Sequence, residues 1–138
     1  MASTLHLVAL KAGLDAVKAL GTPKLSFMAT SFSPSSTTHS YFSDISASVA
    51  SGTTAVTLAS ITTAIDVPNA RVEFNTATPS LSTITASTNK YCLWVDTGVA
   101  ATSPVLATID IVEGTLSPIA GTLAITVNAE GHFALKAV

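Results

Sequence analysis

Charge is what this sequence has least of. Asp, Glu, Lys and Arg together make up 10% of its 138 residues, against about a quarter in an ordinary soluble domain. The net charge is −2, and the six Lys and Arg stand singly along the chain. No basic patch can neutralise a phosphate backbone, so nucleic acid is not an expected partner. Cysteine occurs once, at Cys92. An intrachain disulfide is thereby excluded, a reducing compartment fits, and a buried, inert thiol is expected. Aromatic residues reach only 6%, too few for the loop-borne aromatic clusters of a host-surface or carbohydrate-binding module. Long hydrophobic runs are missing too, although 48% of residues are apolar. Ser, Thr or Gly breaks each run far short of the roughly 20 residues that cross a bilayer, so no membrane is expected. Met1 to Leu7 has neither a basic nor a clean apolar region, and no secretory signal is expected.

Ser and Thr stand where charge is missing. A neutral, hydroxyl-rich surface offers little like-charge repulsion against association and suits a subunit packed beside others. Leu7, Leu10, Leu14 and Val17 recur at helical spacing with Lys11, Asp15 and Lys18 opposite. That pattern predicts an amphipathic helix over about Leu5 to Leu20, capped by Ser3 or Thr4 and stopped by Gly21 and Pro23. Gly13 is its one interior objection, costing about 1 kcal/mol against alanine. A strand is expected over Lys24 to Thr30, a loop over Ser33 to Thr38, and a helical turn whose Tyr41, Phe42 and Ile45 plug the core. Ala47 to Thr63 reads as one or two strands around Gly52 with Val56, Leu58 and Ile61 inward. Ile65 to Pro68 reads as a break, Arg71 to Phe74 as a short strand, and Ser80 to Ser87 as a weaker one.

The clearest alternation lies between Asn89 and Val138. Tyr91, Leu93 and Val95 alternate with Cys92, Trp94 and Asp96, and a loop, Thr97 to Pro104, leads to a strand over Val105 to Val112. Leu123, Ile125 and Val127 then share a face, and Asn128 to Gly131 predicts a hairpin turn returning through Phe133 and Leu135. Short strands separated by Gly, Pro and Ser predict a mainly β fold. The expectation is a single domain over 1–138, an antiparallel β-sandwich or jelly-roll-like fold, with residues 1–21 as N-terminal arm and amphipathic helix. Leu93, Val95, Ile109, Leu123, Ile125, Phe133 and Leu135 form its expected core.

Catalytic chemistry finds no foothold in these patterns. His6, His39 and His132 have no serine in a Gly-x-Ser-x-Gly elbow to serve. Asp15, Asp44, Asp66, Glu73, Asp96, Asp110, Glu113 and Glu130 are scattered without metal-ligand spacing and read as solvated or turn-capping groups. Gly98 and Gly131 are isolated turn glycines and cradle no phosphate. Trp94 reads as a core or interface aromatic. Catalytic, cofactor-binding and metal-binding residues are all expected to be none, and no enzyme is expected.

The run Lys90-Tyr91-Cys92-Leu93-Trp94-Val95-Asp96-Thr97-Gly98, followed by Ala100 to Ala107, Ile109-Asp110, Gly121-Thr122-Leu123 and Asn128 to Gly131, resembles a family of small virion proteins of tailed bacteriophages. Ser31-Phe32-Ser33-Pro34 and Thr38 to Ile45 are similar to that family's Pro-containing loop and its His, aromatic and Asp segment. The chain departs from the pattern after Gly52, where Thr53-Thr54 replace a Tyr and a Gly-Gly pair. The resemblance implies a non-enzymatic head decoration (cement) protein on the capsid exterior, made in the host cytoplasm. Its implied partners are the major capsid protein and copies of itself, a homotrimer being the expected state. A minor tail protein is the alternative, and the Met1–Leu7 segment and the Thr97–Pro104 loop are the expected contact regions.

Overall fold

A computed structural model describes residues 6–112, 114–117, 119–125 and 131–136, the side chains of 80–83, 119–124 and 134–136 excepted. Its centre is a pair of antiparallel strands, β1 (Thr22–Ala29) and β6 (Thr88–Asp96), in which Leu25 faces Leu93 and Phe27 faces Tyr91. Both strands are buried over most of their length on both faces. A strand with two covered faces needs apolar side chains at successive positions, which is why Phe27 and Met28 stand side by side and why Cys92 and Trp94 interleave with Tyr91, Leu93 and Val95. β2 (Val56–Thr57) and β7 (Val105–Asp110) complete a four-stranded sheet in the order β2-β1-β6-β7.

One face of this sheet shares a core with a second sheet, β3 (Thr62–Asp66), β4 (Arg71–Asn75) and β9 (Phe133–Lys136) in the order β3-β4-β9. Leu25, Phe27, Tyr91 and Leu93 meet Val72 and Phe74 there, together with Leu14 from the N-terminal helix α1 (Leu7–Lys18). Each fully buried side chain of this size contributes roughly 1.5–3 kcal/mol by leaving water. α1 follows the apolar stripe expected of it, with Leu14 buried and Leu7 and Leu10 packed on the same core. On its other side Asp15 holds Lys11 at 2.6 Å and Lys18 at 3.3 Å and accepts from the Thr63 hydroxyl, which ties helix to β3. The opposite face of the central sheet is covered by the segment after β1. Phe32 and Ile45 pack on Met28 and Cys92, and Phe42, from the helical turn α2 (Phe42–Ile45), stacks on Trp94 at 3.8 Å and 10°. The Trp94 indole N–H donates to Ser26 Oγ at 3.0 Å, so its one polar atom is satisfied inside the protein. The fold is thus mainly β and antiparallel, a sandwich with an N-terminal helix.

Several local expectations change. The helix begins at Leu7, with His6 as the residue before it and no side-chain cap there; Ser3 and Thr4 lie outside the described residues. It ends at Lys18, and Gly21 sits so close to the Asp96 main chain that a Cβ would collide with the Asp96 carbonyl. Tyr41 does not plug the core: it is 45% exposed, and its backbone bridges to Pro104. Between Ala47 and Thr63 the strands are β2 and the first two residues of β3, both after Gly52, while a 3-10 turn at Ser46–Ser48 precedes them; Leu58 is buried and Val56 and Ile61 pack against the core. The break placed at Ile65 to Pro68 is shifted, because Ile65 and Asp66 belong to β3 and pair with Val72 and Arg71. The turn that follows is tied by Asp66, which accepts from the Asn69 and Arg71 side chains at 2.7 and 2.9 Å.

The C-terminal hairpin is the largest correction. β8 (Ile119–Ala124) pairs with β5 (Ser80–Ile84), while β9 pairs with β4. The two strands expected to face each other join different sheets, and each takes a partner distant in sequence. Gly131 does adopt φ +81, but the reason is close approach as well: a Cβ there would strike the Phe74 carbonyl. Of the expected core, Leu93 and Val95 are fully buried. Ile109, Ile125 and Phe133 are partly buried against the main cluster, and the side chains of Leu123 and Leu135 lie outside those described.

Candidate functional site

Most of the described polar groups that could do chemistry are engaged in holding the fold. His132 is 8% exposed, with the Tyr91 hydroxyl 3.0 Å from Nδ1 and the Thr76 hydroxyl 2.8 Å from Nε2. Thr76 gives its own hydrogen to the Ala77 carbonyl. It therefore accepts from Nε2–H, and Nδ1 accepts from Tyr91. Burial lowers the His132 pKa to about 4 and raises that of Tyr91 to about 12, so the pair is neutral at pH 7. The chain Tyr91–His132–Thr76 joins the central sheet to the strand ends of the second sheet. His39 stacks on Phe32, and its Nδ1 accepts from the Ser35 amide at 3.0 Å; His6 precedes α1. The histidines are not brought together.

The carboxylates take capping and pairing roles. Asp44 accepts from the amides of Ser40 and Tyr41 at 3.0 and 2.9 Å. Asp96 accepts from the Gly98 amide and meets Lys24 Nζ at 2.6 Å, and Lys24 holds its carboxyl below the usual range. Lys11 and the Thr63 hydroxyl lower Asp15 to about 2. Glu113 and Glu130 lie outside the described residues. Among the described residues, no group of three His, Cys, Asp or Glu could hold a metal ion. Cys92 is fully buried, and burial pushes its thiol up to about 12.

What the surface presents instead is an apolar groove of about 490 Å³. Leu10, Gly13 and Val17 of α1 form one wall, Pro104, Val105 and Leu106 the other, and Phe133, stacked on Phe74 at 5.2 Å, lies between. Each wall has a local cause. Among the described residues, β7 and β9 are each the edge of their own sheet, so the sandwich is open on this side and α1 only partly closes it. Gly13 explains itself here, since a Cβ at that position meets nothing within 4 Å. The glycine is not demanded by close packing; its missing side chain leaves room.

The Thr97–Pro104 loop reaches the groove at Pro104. Thr97 Oγ1 meets Thr102 Oγ1 at 2.7 Å, Ser103 Oγ donates to the Val99 carbonyl at 2.9 Å, and the Phe42 amide donates to the Ser103 carbonyl at 2.8 Å. The loop is thus held by its own hydroxyls while Val99 stands 58% exposed. Of the expected contact regions, this loop touches the groove only through Pro104, and Met1 to Leu5 lie outside the described residues. Sequence reasoning missed the groove itself. Its one signal was Gly13, a helix-weakening residue on an otherwise regular apolar stripe. No protein-family model matches the chain, and neither a curated protein nor a solved structure matches it.

Proposed function

We propose that this chain is a non-enzymatic structural subunit of a tailed-bacteriophage virion, a decoration (cement) protein that binds the outer face of the assembled shell. The observation that carries this reading is the open side of the sandwich, where an apolar groove and a hydroxyl-braced loop lie together on a surface of low charge. Such a site has no group placed to transfer a proton or attack a bond. It offers shape and apolar area, which is what a shell contact repeated over many copies requires, total affinity coming from multiplicity rather than one strong contact. The partner is the major capsid protein, and Pro104, Val105, Leu106 and the α1 face are the contact residues.

The test is titration of purified protein onto shells that lack it, read by sedimentation with the particles. Binding should saturate at a copy number that scales with capsomers, and Gly13→Leu, which projects a side chain into the groove from a position where a Cβ meets nothing within 4 Å, should remove it while leaving the circular dichroism unchanged. Saturation at a handful of copies would indicate a tail location instead, and full occupancy by Gly13→Leu would rule out the groove as the contact.

A further inference from the structure

The outer edge of β7 is a second feature of the open side, and its chemistry is that of main chain rather than side chain. β7 pairs with β6 alone among the described strands. Ile111 donates its N–H to the Asn89 carbonyl, so the alternation of an antiparallel ladder turns Ala107 and Ile109 toward β6 and turns the N–H and C=O groups of Thr108 and Asp110 outward. No described residue bonds to those outward groups. The start of the edge is closed, because the Val105 amide donates to the Ser40 carbonyl and the register shifts between Leu93 and Trp94. A regular, free stretch remains from Ala107 to Ile111. It has no lysine or proline guard, and its one charge is Asp110, 87% exposed and 3.9 Å from Lys90. Long free edges of this kind are otherwise blunted in natural sheets.

We propose that a second copy of this chain occupies this edge, β7 pairing antiparallel with β7 of the copy to give one continuous sheet across a two-fold axis. The free groups specify the occupant as an extended strand, and the residue pattern of β7 fits a second copy of itself. An antiparallel two-fold keeps each face of the sheet on its own side. The core-side residues Ala107, Ile109 and Ile111 therefore meet the copy's core-side residues, and the partly covered Ile109 and Ile111 gain apolar neighbours. Thr108 and Asp110 lie on the opposite face, and with the axis at Ile109 each meets the other residue of the copy. Charge then selects the register. Centring the axis on Asp110 would set two carboxylates face to face and is excluded by repulsion. Centring it on Thr108 or Ile109 puts no like charges opposite each other and pairs outward groups with outward groups. A net charge of −2 per copy adds little long-range repulsion. This pairing occurs between free copies in solution and does not depend on what the groove binds.

The test combines sedimentation velocity with amide hydrogen exchange on the full chain. The wild type should be a dimer whose Thr108 and Asp110 amides exchange more slowly as concentration rises, while Ile109, held by β6, is protected at every concentration. Thr108→Pro removes an outward N–H and leaves the β6 ladder whole; it should be monomeric with native circular dichroism, and Thr108→Ala should remain a dimer. A monomer at all concentrations overturns the pairing. So does a trimer, because a two-fold strand contact closes at two copies, and so does an oligomer in which Thr108 and Asp110 exchange at monomer rates. If Thr108→Pro does not fold, exchange on the wild type decides by itself.

Discussion

The two faces of the central sheet are covered in different ways. On one, Leu25, Phe27, Tyr91 and Leu93 are roofed by a second sheet and a helix, and the cluster is continuous from Leu14 to Phe74. On the other, Met28, Cys92 and Trp94 are roofed by a loop and a single helical turn. The first roof is regular structure whose backbone satisfies itself. The second is irregular, and it depends on a few anchors: the Phe42–Trp94 stack, the Trp94–Ser26 hydrogen bond, and Asp44 tying the amides that start the turn. The difference teaches that the first face sets the stability of the fold, while the second sets the position of residues 32–49 and, through Ser40 and Ser103, the start of β7.

Substitutions can break that comparison in order of expected effect. Phe27→Ala, in the first core and fully buried, should cost about 3–5 kcal/mol by chemical denaturation. Phe42→Ala, half-buried on the second face, should cost about 2 kcal/mol and shift Trp94 fluorescence to longer wavelength. Equal costs for the two variants would mean that the faces are energetically alike. A smaller effect should separate the first face by pH. His132, neutral in the fold with its pKa lowered to about 4, takes up a proton more readily in the unfolded chain, where an ordinary histidine titrates near pH 6.5. Its contribution is present above about pH 6.5 and is lost as pH falls toward 4. The melting temperature should decline over that window in the wild type and decline less in His132→Gln. Asp15, lowered to about 2, adds its own loss only below its ordinary value of about 3.9. The smallest effect belongs to Cys92, which should resist alkylation at pH 8 in the folded protein and react fully in denaturant. Rapid labelling of the native protein would show that the loop roof opens readily.

Much of the first face was legible in the residues. The alternation of Tyr91, Leu93 and Val95 with Cys92, Trp94 and Asp96 marked a strand, and the i, i+3, i+4 spacing marked α1; the structure has both elements, with β6 buried on both faces rather than one. The second face was legible only in part. Phe42 and Ile45 were readable as a helical plug, yet Tyr41 has the same apolar character and points away, because the Tyr41 backbone is held by Pro104. The groove was not legible, since its walls come from residues 9–17, 104–106 and 133, which no spacing in the chain relates.

Length, low charge, one cysteine and the alternation patterns determined by themselves that this protein is mainly β, carries an amphipathic N-terminal helix and encloses a buried thiol. Those are properties of neighbouring residues and need no knowledge of partners. Only the tertiary structure decided who pairs with whom. β8 and β9 could have closed a hairpin across Gly131, but β9 lies against β4, where Phe133 stacks on Phe74 and Gly131 passes over the Phe74 carbonyl, and β8 lies against β5. Pairing across long loops depends on which apolar faces can be covered at once. That is a condition on the whole core, and no single stretch of sequence contains it.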